Sequence, residues 1–210
     1  MSQNVNVINN VGKNVVVTVN NENGNTQIVI DLAENRVELS TLKAGEVFKV
    51  DNEYIILEQF ENGLTAVIRK ELLEDMMKFD FYDNNWNTSN IRKYLNSDYL
   101  KELNDEFGED NIIEHTVDLL SLDGLDDYGT SIDKVTFLNI GQYQKYRKII
   151  GENKEKWWWL LTPSTTISGC CSDNVQCVHP DGTVDFFWCE DSGGVRPFFI
   201  LKSDIFVSCN

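Results

Sequence analysis

The sequence predicts an α+β fold: an antiparallel sheet with two or three helices, preceded by a small N-terminal β segment. Between residues 15 and 69, apolar residues alternate with polar ones and short turns separate the runs, as in antiparallel strands. Stretches with helix-capping residues and one apolar face follow between residues 88 and 151. A length of 210 residues suits one large domain, or one domain with a small appendage.

The N-terminal segment contains two predicted strands and a turn. Valines alternate along residues 15–19 and isoleucines along 28–30, and the run 20–25 between them is rich in Asn and Gly. A third short strand is predicted at 36–39. Strands this few and short are marginally stable alone.

The sequence predicts two parts of the chain, an N-terminal segment that contains these strands and a main domain. Residues 1–40 are interpreted as an attachment or oligomerisation segment, or as an extra edge of the main sheet, and residues 41–210 as the main domain. Two runs in that domain, 46–50 and 54–60, are predicted to form a hairpin, and the turn Asn62-Gly63 leads into a third strand at 64–69.

Three helices are predicted, each from a capping residue followed by one apolar face. In chain order, the caps are Thr88 or Ser89, Ser97–Asp98, and Asn139. The second helix is predicted to end at Gly108 and the third at Gly151.

The charge of the chain excludes several classes of partner. A net charge of −16 and a pI near 4.4 argue against nucleic acid, whose phosphates need a basic surface, and against anionic lipid. The N-terminus lacks the pattern of a secretory signal, and no stretch approaches the ~18 apolar residues of a membrane span. We therefore expect synthesis in the cytoplasm and no membrane insertion, and, if the protein acts outside a cell, release by lysis or as part of a particle.

One stretch, Lys156 to Leu201, organises the rest of the chain. It contains four of the five tryptophans and four of the five cysteines. The run Trp157–Leu161 and the block Val195–Leu201 carry enough apolar area to be core. Between them, residues 164–192 are rich in Ser, Thr, Cys, Asp, Asn and Gly. This layout is typical of a displayed binding surface held between two apolar anchors.

The cysteines are predicted to be reduced. Five is an odd number, and they are clustered late in the chain. If the turn at Pro180–Gly182 centres a hairpin on Asp181, Cys177 lies opposite Asp185. Cys189 then lies opposite Asp173, about 13 Å along the strand from Cys177 and too far for a disulfide.

Other site chemistries fit the spacing poorly. The cysteines and His179 lack the paired spacing of a zinc site, and the aspartates of residues 118–127 lack that of an EF-hand. Nothing in the sequence places a histidine beside an oriented cysteine, as a hydrolase needs. Gly193-Gly194 is interpreted as a turn, and Arg196 is expected to have a carboxylate partner.

The predicted strand after the hairpin turn has two faces. Thr183, Asp185 and Phe187 point to one side, and Val184, Phe186 and Trp188 to the other. Mixed polar and aromatic side chains are typical of recognition surfaces. An ordinary polar loop over a β core explains the composition equally well.

Several motifs resemble a domain found in prophages of gut bacteria. They are the run WWWLLTP, V-x-C-V at 175–178, D-G-x-V at 181–184, Trp188-Cys189 and the closing GGVRPFFIL, with LKAGEVFKV, TAVIRKELL, WNTSNIRKYLN and EHTVDLLSLDGLDDYG upstream. The resemblance covers roughly residue 42 to the end. That domain is similar to C-type-lectin-like folds, including the variable proteins of diversity-generating retroelements and, more distantly, formylglycine-generating enzymes.

In such variable proteins, mutagenesis directed to adenines diversifies chosen codons, most often those of Asn. Those codons can come to encode most small, polar and aromatic residues but never Trp, Gln or Glu. The resemblance therefore implies that Trp188, Gln176 and Glu190 are scaffold. The implied ligand-binding positions are Ser168, Cys170, Cys171, Ser172, Asp173, His179, Thr183, Asp185, Phe186, Phe187, Asp191 and Ser192.

The resemblance implies a non-enzymatic adhesin or receptor-binding protein displayed on a phage virion. It would be made in the bacterial cytoplasm and would bind a host cell-surface protein or glycan. Residues 1–40 would contact other virion proteins or form a homo-oligomer. The calcium motifs Glu-Pro-Asn and Trp-Asn-Asp of lectins are absent, and no cofactor is expected. Two alternatives stay open: a structural decoration protein of the particle, and a copper-dependent cysteine oxidase of the formylglycine-generating type.

Overall fold

The structure, a computed structural model, describes residues 15–22, 25–32, 36–151 and 155–209, with side chains from residue 36 onward. Strands β1 (Val15–Glu22) and β2 (Asn25–Leu32) pair antiparallel as a two-stranded sheet. The predicted N-terminal hairpin is therefore confirmed, although its turn residues Asn23 and Gly24 lie outside the described residues. The register pairs Val15 with Leu32 and Val19 with Ile28.

The described part of the main domain is mixed α and β, with mostly antiparallel sheets. The strands are β3 (Arg36–Glu38), β4 (Val47–Lys49), β5 (Glu53–Phe60), β6 (Leu64–Arg69), β7 (Met77–Lys78), β8 (Ile112–Ile113), β9 (His115–Asp118), β10 (Thr130–Asp133), β11 (Val135–Thr136), β12 (Trp158–Pro163), β13 (Asn174–Val178), β14 (Val184–Trp188), β15 (Ser192–Gly193), β16 (Phe198–Lys202) and β17 (Phe206–Cys209). The α-helices are α1 (Asn90–Leu95), α2 (Asp98–Phe107) and α3 (Ile140–Ile150), and single 3-10 turns lie at Leu39–Thr41 and Glu109–Asn111. These elements confirm the predicted α+β class.

The main sheet has eight strands, in the order β11-β16-β6-β5-β4-β17-β3, with β8 also paired to β16. The predicted meander is confirmed, because β4, β5 and β6 pair antiparallel in sequence. The third predicted strand is confirmed, and it lies where the second interpretation of residues 1–40, an extra edge of the main sheet, places it. Arg36–Glu38 pairs with Phe206–Ser208 of β17 and so forms the edge of the main sheet. Sequence alone does not reveal a partner about 170 residues away.

The main sheet is covered on both faces, and its strands alternate between two cores. In β5, Tyr54 and Ile56 pack into the core beneath α1 and α2, whereas Ile55 and Leu57 pack into the core beneath α3. This alternation follows from the two-residue period of a strand. Fully covered strands read as continuous apolar runs, which explains why 54–57 shows no polar alternation.

The helices begin at the predicted caps. The Ser89 hydroxyl accepts the Arg92 N–H at the start of α1, and Asn139 forms a capping box with Gln142 at the start of α3. Gly108 ends α2 and Gly151 ends α3, both with positive φ. Ser97 precedes α2, but its hydroxyl donates to the Lys93 carbonyl instead of capping that helix.

A buried ion pair fixes α1 against β10. Asp133 is almost fully buried and pairs with Arg92 at 2.8 Å between a guanidinium nitrogen and Oδ1. Its carboxylate also accepts the Trp86 indole N–H at 2.8 Å and the Ser131 hydroxyl at 2.6 Å. These hydrogen bonds compensate for the desolvation of the Asp133 carboxylate, so the buried ion pair does not weaken the core. The bond from the indole N–H orients Trp86.

Candidate surface on strands β13 and β14

A three-stranded sheet, β12-β13-β14, carries the predicted binding segment. The predicted register is confirmed, because Cys177 lies opposite Asp185 and the Cys189 N–H donates to the Asp173 carbonyl at 2.6 Å. The cysteines are free, and Cys177 and Cys189 sit at opposite ends of the hairpin. β14 is the outer strand of this sheet.

Strand β12 anchors the sheet in both cores. Trp159 and Leu161 pack into the core beneath α1 and α2, and Trp158 packs against Tyr143 of α3 with ring centroids 5.7 Å apart. Trp157 differs from the prediction for the run 157–161, because it is only half buried. It lies at the end of the strand, where its ring stacks on Phe187 at 4.3 Å between centroids.

Gly193 and Gly194 allow the chain to pass close to Trp157 and Trp158. They were predicted to form a turn, but Gly193 pairs with Met77 in β15-β7 and Gly194 bridges to Trp158 in parallel. A Cβ atom on Gly193 would lie 2.3 Å from the Trp157 ring, and one on Gly194 would lie 2.7 Å from the Trp157 carbonyl oxygen. Glycine is therefore required for close approach.

The predicted carboxylate partner of Arg196 was wrong. Arg196 is buried, and its guanidinium donates to the carbonyl oxygens of Arg69 and Lys70 at 3.0 and 2.8 Å. The same group lies over the Trp158 ring at 5.2 Å. Burial lowers the pKa of Arg196 to about 10. Backbone carbonyls accept from Nε and Nη2, whereas the buried Nη1 has no hydrogen-bond partner among the described residues, and neither carbonyl partner is recognisable from sequence.

Asn84 holds the loop that joins β12 to β13. Its side-chain amide donates to the carbonyl oxygens of Thr165 and Asn174, both at 2.9 Å, and its backbone N–H donates to Ser172 at 2.8 Å. Tyr128 donates in turn to the Asn84 side-chain oxygen at 2.8 Å. Asn84 is fully buried, so these bonds are shielded from water and fix both ends of the loop.

The middle of the same loop is attached to the acidic loop 118–129. Asp127 accepts hydrogen bonds from the Ser168 and Thr166 hydroxyls, which hold the pKa of its carboxyl below the usual range. Gly169 follows at a tight point, where a Cβ would lie 1.9 Å from the Thr165 hydroxyl oxygen. The loop therefore has a defined path rather than an open one.

The twelve implied ligand-binding residues all reach the surface to some degree. Four are half buried: Ser172, His179, Phe187 and Asp191. The other eight are exposed: Ser168, Cys170, Cys171, Asp173, Thr183, Asp185, Phe186 and Ser192. None of the twelve is buried.

The two faces of β14 differ in a way that sequence did not indicate. Phe187 shares its face with Val175 and Cys177, which are buried, so it packs inward on Trp157. The opposite face is open: the exposed fractions are 53% for Phe186 and 64% for Trp188. Trp188 and Glu190, which the resemblance implies are not diversified, are both exposed. Gln176, also interpreted as scaffold, is buried.

The open face borders a cavity of about 300 Å³. It is lined by Asn174, Phe186, Phe187, Trp188 and Asp191. At the other end of β14, the His179 ring approaches Asp185 at 3.4 Å between Nε2 and Oδ2. Aromatic area beside hydrogen-bonding groups suits the recognition of another molecule.

The buried thiols are poorly suited to nucleophilic or redox chemistry. Burial raises the pKa of Cys177 to about 12, and burial with nearby carboxylates raises that of Cys189 to about 11. Such thiols stay protonated near neutral pH, whereas the thiolate is the reactive form. Within residues 36–151 and 155–209, no three His, Cys, Asp or Glu side chains are grouped to hold a metal.

Sequence reasoning missed several residues of this surface. Phe81 and Tyr82 are exposed, and the chain just before them is joined to β14 through the Asp80 N–H and the Cys189 carbonyl at 3.1 Å. Ile167 is exposed on the loop. Aromatic residues in the polar run FDFYDNN were the available signal, but its lack of periodicity hid their role.

No family model, curated protein or solved structure matches the chain. Among the described helices, none is long and apolar enough to cross a membrane.

We predict that Asn84→Ala destabilises the domain by about 2–4 kcal/mol, because it leaves buried carbonyls without donors. The free energy of unfolding in urea measures this, and hydrogen exchange should quicken in residues 164–174. Asn85→Ala, in the same segment, is the matched control and should cost less than about 1 kcal/mol. Equal effects of the two substitutions would contradict the role assigned to Asn84.

Proposed function

We propose that this protein is a non-enzymatic binding protein whose ligand surface lies within residues 164–192. The observation that carries the proposal is that all twelve implied ligand-binding residues reach solvent while the strands beneath them are anchored in two cores. Rigid support with accessible polar and aromatic side chains lowers the entropic cost of binding.

The resemblance to prophage-encoded C-type-lectin-like domains suggests the setting. In this proposal the protein is made in the bacterial cytoplasm, assembles on the surface of a virion, and binds a host cell-surface protein or glycan. The diversified positions of such variable proteins would be the twelve residues of this surface. Trp188 would be an unvaried contact residue among them.

The placement of Cys177 and Cys189, with the raised pKa values of their thiols, makes this pair unsuited to the copper site of a formylglycine-type oxidase. Copper-dependent oxidation needs thiolates that can be brought together on the metal. Cys177 and Cys189 are buried at opposite ends of one hairpin. A binding surface requires no such arrangement.

The N-terminal hairpin supports a role in attachment or oligomerisation. The register of β1 and β2 pairs Val15, Val17 and Val19 with Leu32, Ile30 and Ile28. Residues opposite each other share a face of the ribbon, so these six aliphatic positions lie on one side. Such a face needs a cover, which other virion proteins or further copies of the chain would provide.

We predict that Phe186→Ala and Asp185→Ala each reduce binding of the labelled full-length protein to bacterial host cells at least tenfold, because both side chains are exposed contacts. Flow cytometry over a panel of gut-bacterial strains measures binding. Thermal midpoints should stay within about 2 °C of wild type, as expected for surface positions. Phe206→Ala, which removes an exposed aromatic ring from β17, is the matched control.

Cell binding that is the same in both variants and in the control would contradict the placement of the ligand surface. A large loss of stability in Asp185→Ala would show that this residue supports the fold rather than a ligand.

We predict that removing residues 1–32 converts an oligomer into a monomer without unfolding the main domain, because the main sheet begins at Arg36. Light scattering gives the mass, and circular dichroism reports the fold. A second variant retains the hairpin but replaces Val17 and Ile30 with Thr, and it should also be a monomer. An unchanged mass in both variants would contradict the oligomerisation role.

A further inference from the structure

Acidic residues predominate around β14, although Lys78 pairs with Ser192 beyond one end of the strand and the Arg147 guanidinium lies beside Gly182 beyond the other. Residues 157–195 contain no Lys or Arg, nor do residues 79–91 or 118–129. By contrast, residues 134–156, which include α3, contain six. The carboxylates of the three acidic segments are those of Asp80, Asp83, Asp118, Asp123, Asp126, Asp127, Asp173, Asp181, Asp185, Glu190 and Asp191.

The fold brings these three segments together. Asn84 joins 79–91 to the loop 164–173, and Asp127 joins 118–129 to the same loop. Carboxylates of two of the segments, those of Asp80, Glu190 and Asp173, lie close enough to Cys189 to add to burial in raising the pKa of its thiol. An anionic partner would be repelled here, and a cationic one attracted over more than its contact area.

The exposed face of β14 supplies aromatic rings inside this acidic surface. Val184, Phe186 and Trp188 project on one side, and Asp191 lines the cavity beside Phe186 and Trp188. A guanidinium or ammonium group is stabilised over an aromatic face and by a nearby carboxylate. The exposed rings and the carboxylate are therefore complementary to the same kind of group.

The backbone edge of β14 is partly closed to strand addition. The His179 N–H donates to the Thr183 carbonyl, so these two residues form a hydrogen-bonded pair. Because such pairs alternate with non-hydrogen-bonded ones along an antiparallel ladder, the backbone N–H and C=O groups of Phe186 and Trp188 point away from β13. The Phe186 N–H is taken by the Asp185 carboxylate at 2.9 Å, and the Trp188 carbonyl accepts from the Asp191 N–H at 2.8 Å. Two of the four outward-pointing backbone groups of these residues are therefore already occupied.

We propose that this surface, formed by Phe186, Trp188 and Asp191 with the carboxylates around them, binds an arginine- or lysine-bearing segment of a partner protein. The proposal rests on the proposed function and narrows its ligand to basic polypeptide. Trp188 is the main contact, and the acidic segments steer the partner toward it.

The test uses two N-acetylated, C-amidated peptides, tetra-arginine and tetra-citrulline, with the full-length protein at 50 mM and 300 mM NaCl. Citrulline keeps the shape of arginine but carries no charge. Amide and indole NMR shifts map the site. We expect tetra-arginine to bind at least tenfold more tightly than tetra-citrulline, with the largest shifts at Val184–Trp188 and the Trp188 indole, and to weaken several-fold at the higher salt.

Matched variants separate a defined site from diffuse attraction, since the chain is acidic overall. Trp188→Ala should weaken tetra-arginine binding at least fivefold, and Trp188→Phe should recover most of it. Phe206→Ala should change nothing. Thermal midpoints confirm that each variant is folded, and these three substitutions do not alter the net charge.

The proposal is overturned if tetra-arginine binds Trp188→Ala as tightly as wild type, if tetra-citrulline binds equally well, or if neither peptide binds at millimolar concentration. If one of these results appears while cell binding still depends on Phe186, the binding function stands and only the ligand class is wrong. If cell binding is also insensitive to Phe186, the binding function fails as well.

Discussion

Trp158 and Trp159 occupy opposite faces of one strand, and each is buried in a different core. Burying two such rings contributes several kcal/mol, and a shift of one residue would exchange their environments. Strand β12 is therefore held in register more firmly than its six residues suggest. Gly193 and Gly194 have no side chain, so the segment that contains them can lie directly against β12. The sheet that carries the candidate surface depends on this constraint.

The residues that reach solvent contribute to the stability of the fold to different extents. Asn84 and Asp127 hold the loop by its backbone and by two hydroxyls, so the side chains of Cys170 and Cys171 remain outside any core. Phe187 is an intermediate case, because it reaches the surface but stacks on Trp157. A surface of this kind accepts chemical variety at its exposed positions while the strands beneath stay unchanged. That property is what the proposed adhesive role requires.

Sequence reasoning succeeded where the relevant chemistry is local. The caps Ser89 and Asn139, the meander 47–69 and the hairpin register around Asp181 all follow from turn residues, capping residues and periodicity. It failed where the deciding contact is distant in sequence. The partner of β3 in β17, the carbonyl oxygens around Arg196 and the Asn84 bonds join segments that no local pattern connects. The inward packing of Phe187 and the openness of Phe186 could not be told apart, since alternation defines two faces without saying which is covered.

The central claim is that nine exposed or half-exposed positions can change together because none of their side chains belongs to a core or holds the loop. The direct measurement is thermal unfolding of one variant in which all nine change, the serines at 172 and 192 to Asn and the residues at 170, 171, 173, 183, 185, 186 and 191 to Ser. The account predicts cooperative unfolding with a midpoint within about 5 °C of wild type, as for substitutions outside the core. Loss of cooperativity, or a midpoint lower by about 15 °C or more, would contradict it.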